Sequence, residues 1–270
     1  MNATGARKIF AILALTLAVN ALASEIPAEF QEPVHVAGQL GMTLYVMDSA
    51  ASRASDRLVE DGIANPDRAI QGWLTSVDED KRHVSVVFVG TQEAVPVALY
   101  MVDVPLMAGE MKVKTFREPV PLKGSLLNLW QARQLATKSL EARDDLCAKH
   151  YNTVVFQFAE GGKDEILVYF LPAAEKPDID IVGGYLLYVV SREGSKILSE
   201  RQFEKTCRQI ALGSDQPGKR TVFRAGQTVP SEIDVYLSRA FSQPVDVVTA
   251  ANKIHWRVDG PQITVVPSQK

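Results

Sequence analysis

The sequence predicts an α+β fold of antiparallel sheets with packed amphipathic helices, and three features carry that prediction. Short runs rich in β-branched and aromatic residues recur along the chain between turn-forming residues. One long segment, Ser125 to Leu146, keeps a helical apolar period. Around it the order helix, strand, strand, strand, strand defines a central helix-on-meander module.

The elements follow in order. After a short extended lead, "MTLYVM" (42–47) predicts a strand and "DSAASRASDRLVED" a helix. Asp48 is placed to cap that helix, and Ala50, Ala54 and Leu58 share one face. A second short helix is expected after Pro66, carrying Ile70 and Trp73. "HVSVVFVG", "VPVALYMVDV" and "MKVKTFREPV" then predict successive strands. In the long helix Leu126, Leu129, Ala132, Ala136 and Leu140 form the apolar stripe.

"TVVFQF" and "EILVYFL" predict two more strands, joined by a turn at Gly161 and Gly162. From Tyr185 to Val190 both alternating faces are apolar, so this strand should be covered on two sides, inside a sheet, with "EILVYFL" as companion. "KILSERQF" mixes Ser199, Glu200, Arg201 and Gln202 with apolar residues, as a strand nearer an edge would. Gly183-Gly184 would bend the chain into the sheet. A helix with Pro230 in its first turn carries Ile233, Tyr236, Leu237, Ala240 and Phe241 at helical spacing. "VDVVTA", "KIHWRV" and "QITVV" close the chain as short strands.

The polar run Gly213 to Arg220 combines charge with Gly and Pro and is the best linker. The predicted division is therefore a signal peptide at 1–23, an N-terminal and central α+β domain at 24–212, and a C-terminal helix plus β-meander unit at 213–270. The N-terminal and central units are candidates to share one sheet. With 46% hydrophobic residues the chain can bury a real core.

The beginning of the sequence sets the expected compartment. Arg7 and Lys8 precede an apolar stretch from Ile9 to Val19, and Ala21 and Ala23 give the small-x-small pattern of signal peptidase, with cleavage expected after Ala23. A membrane anchor is the alternative, but a span takes roughly 20 apolar residues. Ser24 stands where a lipoprotein would have cysteine, so the reading is a periplasmic or secreted protein with no membrane span after cleavage. Cleavage removes two positive charges from a chain whose formal net charge is −3. An evenly mixed acidic surface argues against a nucleic-acid partner, since phosphate binding needs clustered positive charge.

Cys147 and Cys207 are the only cysteines. In an oxidising compartment an isolated pair predicts a disulfide. The rival is zinc, because Cys147 and His150 have C-x-x-H spacing, but no second close ligand pair accompanies Cys207.

Two likenesses emerge. The central module, roughly Ser125 to Cys207, resembles the PepSY and cystatin-like plan of a helix across a curled antiparallel sheet, in architecture only. The stretches "MDSAASRASDRL", "GWLTSV", "PVALYMVDVP", "WQARQLA", "YNTVVFQF", "ILVYFLPA", "VGGYLLYVVSREGSKIL", "EIDVYLSRAF" and "IHWRVDG" resemble, in order, an uncharacterised family of exported bacterial proteins. That resemblance implies an envelope or secreted protein and no named activity.

Catalytic patterns are thin. His35, His83, His150 and His255 lie in no close metal-ligand spacing, so no metal or cofactor is expected. "EGSK" around Ser195 lacks the second glycine of a nucleophile elbow and fits a hairpin turn. Asp178 with Asp180 and Asp144 with Asp145 are paired carboxylates better explained as solvated loop charges, since glycosidase chemistry needs two facing each other across a cleft. Gly183-Gly184 opens a strand, where a phosphate loop would open a helix. In "KIHWRVDG" His255 and Arg257 face one way and Trp256 the other. These three are the candidate binding residues: an exposed Trp256 would anchor a partner, and the His255/Arg257 face would take an anion. More often such a tryptophan is core. The leading expectation is an exported, non-enzymatic binding or interaction protein with a protein or small-molecule partner. A hydrolase with dispersed residues and a peptidase inhibitor or regulator are the alternatives.

Overall fold

A single helix of 33 residues, α1 (Ala28–Glu60), replaces the strand and helix expected across residues 42–61. Its buried positions Val34, Ala37, Gly41, Leu44, Met47, Ala51, Ala54 and Leu58 recur every three or four residues without a break, which only one helix can satisfy. "MTLYVM" alternates only when read alone. Asp48 lies inside this helix, not at its N-cap, and accepts a hydrogen bond from the Tyr236 hydroxyl at 2.8 Å. The computed structural model describes residues 25–63, 69–78, 82–160, 163–173, 175–176, 179–211 and 220–267. The expected signal peptide, the Gly161–Gly162 turn, Pro66, Asp178 and residues 213–219 of the expected linker lie outside the described residues.

Four strands follow: β1 (Gly72–Asp78), β2 (His83–Gln92), β3 (Val95–Pro105) and β4 (Lys112–Pro121), an antiparallel sheet in sequence order. Trp73 lies in β1, opposite Phe88, and not in the helix expected after Pro66. The ladder to the β-branched run of β2 overrides the weak local signal of "GWLTSV". The amphipathic helix α2 spans Gly124–Glu141.

The central sheet is built from β5 (His150–Glu160), β6 (Lys163–Ala173), β8 (Leu186–Ser191) and β9 (Ile197–Gln202), in the order β5-β6-β8-β9. Between β6 and β8 comes the short β7 (Ile179–Val182), which pairs with β10 (Arg208–Ala211) in a separate ribbon. Strand β8 sits inside the sheet against β6, and β9 is the edge, as the apolar and mixed patterns require. Cys147 and Cys207 form a disulfide with Cα atoms 5.2 Å apart. It joins the segment after α2 to the start of β10. Gly184, at φ 73°, lies against it: a Cβ there would fall 2.4 Å from the Cβ of Cys147. Only glycine fits that turn and that approach.

The N-terminal and central sheets are not one hydrogen-bonded sheet. They do form one layer, because the same helices cover both. The stripe of α2 (Leu129, Ala132, Ala136, Leu140) packs on Leu74 and Val87 of the first sheet and on Val155, Val168 and Tyr188 of the second. On the other face the C-terminal half of α1 covers Val84, Val86 and Phe88, while its N-terminal half joins the core with Phe156, Leu167 and Tyr169. The strands are thus apolar on both faces: in β6, Ile166, Val168 and Phe170 point to α2, and Leu167, Tyr169 and Leu171 away from it.

The C-terminal unit contains β11 (Arg220–Arg224), α3 (Glu232–Ala240), β12 (Val245–Thr249), β13 (Ile254–Asp259) and β14 (Gln262–Val265). Its sheet order is β11-β12-β13-β14, with β11 parallel to β12 across the α3 crossover. The expected meander is therefore β12–β14, extended by a strand that begins at the last residue of the expected linker. Pro230 precedes the capping residue Ser231 instead of lying in the first turn of α3. α3 packs on α1, where Gly41 lets the two helices approach Val235 closely.

Candidate functional site

The residues singled out in "KIHWRVDG" separate as a strand requires. Trp256 is 0% exposed: its indole N–H donates to the Thr249 hydroxyl at 2.9 Å, and its ring meets Phe30 edge-on with centroids 6.1 Å apart. It is a core residue and presents no ring to a partner. His255 and Arg257 are exposed on the outer face of the C-terminal sheet, where Arg257 lies 3.7 Å from Asp246. That contact offsets the charge an anion would use. The register places His255 in line with Val248 and Phe223, and Phe223 is 66% exposed. Phe223 was invisible to sequence reasoning because β11 was not recognised as a strand.

Other expected features lie apart. Among the described residues no three His, Cys, Asp or Glu side chains come together as a metal group. Ser195 lies in the β8–β9 hairpin turn, beside Ser191. Asp145 is held by Arg143, whose hydrogen bond lowers the carboxyl below its ordinary range.

A buried polar cluster ties the C-terminal unit to the central sheet. Arg224 donates to Asp234 at 3.0 Å and to Glu204 at 3.3 Å, while Asp234 accepts from the N–H and hydroxyl of Ser231 at 2.8 and 2.9 Å. Alongside, Glu232, 5% exposed, accepts from the Tyr169 hydroxyl at 3.1 Å and lies 3.6 Å from Arg201. Burial raises the Glu232 carboxyl above its ordinary range, only partly opposed by Arg201, and burial also lifts the Tyr169 hydroxyl well above its own. Each of these groups has a protein partner, which makes the cluster a clasp between elements.

A further open feature lies at the seam between the two large sheets. β1 and β5 are the facing edge strands, and their Cα atoms come within 8 Å without forming a ladder. A groove of about 770 Å³ lies along them. Its walls are the edges Thr75–Val77 and Phe156–Ala159, and it is closed by Gln39 and Thr43 of α1 and by Ser125 and Leu129 of α2. Among the described residues its lining carries no charged side chain, in a chain of which 23% is charged. Ser76, Gln157 and Ala159 are exposed along it. Thr75 is 3% exposed, and its hydroxyl has no hydrogen-bond partner among the described residues. Nothing in the sequence points to this groove, because its two edges stand about eighty residues apart and only the fold brings them together.

The class defined by these features is an α+β protein with two sheets between shared helices and a neutral groove along their seam. Comparison with protein-family models, curated proteins and solved structures found no match.

Proposed function

We propose that the protein is an exported, non-enzymatic binding protein, periplasmic or secreted, that holds its partner in the seam groove. The observation that carries this reading is the groove itself: large enough for a small ligand or a peptide segment and, among the described residues, uncharged and lined by exposed positions beside a buried hydroxyl without a partner. The disulfide is compatible with an oxidising compartment and supports the export reading. The amino-terminal Arg-Lys, apolar stretch and Ala-Leu-Ala support it from the sequence.

The test is position-specific photo-crosslinking in cells that export the chain. A photoreactive residue at Ser76, in the groove, should give a discrete adduct. The same group at Arg192, which is exposed on the β8–β9 turn, should give none. Absence of an adduct at Ser76, or equal yields at both positions, overturns the proposal.

A further inference from the structure

The geometry points to an occupant of a particular kind: an extended, uncharged polypeptide segment that enters the seam as a strand and hydrogen-bonds to both β1 and β5. This inference rests on the reading of the groove as the binding site and names its partner class.

Three observations carry it. First, each wall is a sheet edge. Among the described residues β1 is laddered only to β2 and β5 only to β6, so each presents a row of outward main-chain N–H and C=O groups to the seam. Such edges are the template for strand addition. Neighbouring strands stand about 4.8 Å apart, so two edges flanking an inserted strand stand roughly twice that apart. The seam, at under 8 Å where it is narrowest, must open by a few ångströms there to admit one. The two edges also run in the same sense. Gly72 of β1 lies against Arg133 in the middle of α2 and β5 begins after the short connection from the end of α2, whereas Thr75–Val77 and Phe156–Ala159 both lie near Ser125 and Leu129 at its start. A segment running opposite to both would therefore continue the antiparallel order of the two sheets.

Second, the charge of the lining selects the occupant. Two glutamines, two serines and two threonines lie among Leu40, Met47, Val77, Leu129 and Phe158. A charged side chain entering here would lose water and, among the described lining residues, meet no countercharge, which is costly. A segment alternating apolar with neutral polar residues meets both kinds of wall, and its alternate side chains would turn to α1 and to α2.

Third, the Thr75 hydroxyl on β1 is buried and has no hydrogen-bond partner among the described residues. A buried hydroxyl lacking a hydrogen bond is destabilising, and an inserted main chain supplies both donors and acceptors beside it. The groove between α1 and the loop before α3, by contrast, is lined by Glu32, Arg201 and Glu232.

The experiment uses the exported chain with its disulfide intact and fluorescent decapeptides alternating valine or leucine with threonine or glutamine. Alternate main-chain N–H groups of a strand point to opposite sides. Methylating one alternate set of peptide nitrogens therefore removes the donors facing β1, and methylating the other removes those facing β5. Each set should weaken binding at least tenfold, and so should aspartate or lysine placed at the central positions. Binding should also slow hydrogen exchange in both β1 and β5. If methylated and plain peptides bind alike, or if only one set matters, insertion between two edges is overturned. Displacement of the peptide by neutral lipid vesicles, with no slowing of exchange in β1 and β5, would assign the groove to an acyl chain and overturn the inference. Adducts at Ser76 without binding of any peptide would overturn the strand and leave the proposed function standing. No adduct at Ser76 would overturn both.

Discussion

Gly41 of α1 lies directly against Val235 of α3: a Cβ on Gly41 would fall 2.4 Å from the Cβ of Val235 and 2.5 Å from the Glu232 carbonyl oxygen. Glycine in a helix interior usually costs about 1 kcal/mol relative to alanine. Gly41→Ala should therefore stabilise the protein if propensity decided the matter. Contact decides it instead, because one of the atoms in the way is main chain and cannot rotate aside. Gly41→Ala should destabilise by about 2 kcal/mol, measured by denaturant unfolding. A gain in stability would show that α1 and α3 are not packed this closely.

The Arg224–Asp234 pair is the second test of that interface. Both side chains are almost wholly buried, at 2% and 0% exposure. Arg224→Met leaves the Asp234 carboxylate without its partner and should cost about 3–5 kcal/mol. Adding Asp234→Asn should recover part of the loss, since the amide keeps an oxygen for Ser231. A double variant as unstable as the sum of the two single changes would mean that the charges do not interact.

Glu232 makes the stability pH-dependent in a defined direction. Its carboxyl is raised by burial in the folded state, whereas in the unfolded chain it titrates near the ordinary value of about 4.3. The folded state therefore holds the proton to higher pH. The contribution is fully present below the unfolded value and is lost as pH rises through the folded one. In Glu232→Gln that loss should disappear, so the stability difference between variant and wild type should grow in the variant's favour as pH rises from 4. Denaturant midpoints across that range give the answer; a constant difference would mean that Glu232 is not shifted.

The disulfide should be worth roughly 4 kcal/mol by loop-closure entropy for a sequence separation of 60 residues. Cys147→Ser with Cys207→Ser should lower the denaturation midpoint accordingly, and mass measurement of exported protein under non-reducing conditions should find no free thiol. Gly184→Ala is a sharper probe of the same place, since both φ and the contact with Cys147 oppose a side chain.

What could be read from the sequence depended on whether the deciding contacts were local. Tyr185–Val190 was legible as an interior strand because both of its alternations are apolar, and the cysteine pair because there was no other thiol to choose. α1 was read as a strand and a helix because "MTLYVM" alternates when taken alone, although the helical period runs on past Pro33, Gly38 and Gly41. Pro33 falls near the start of the helix, and the two glycines serve contacts with Val235 and Pro261 made about two hundred residues away. β11 was missed because its five residues acquire a partner only through the crossover to β12. Trp256 was equivocal for a similar reason: alternation gave its face, but only the packed Phe30 says that this face is inside. The seam groove lies beyond any such reading, since neither of its edges is unusual alone.

Thr75 would link the stability of the free protein to the proposed use of the groove. Valine has nearly the shape of threonine without its hydroxyl, and replacing a buried hydroxyl that lacks a partner should remove a penalty without opening a cavity. Thr75→Val should therefore raise unfolding free energy by about 1 kcal/mol. Its neighbour Ser76 is exposed, so Ser76→Ala should leave stability within about 0.5 kcal/mol of wild type. The same Thr75→Val change should weaken capture of the groove's partner, because the hydrogen bond available to the complex is gone. A variant that is both less stable and equally competent would place the Thr75 hydroxyl in a hydrogen bond within the free protein and remove it from the binding surface.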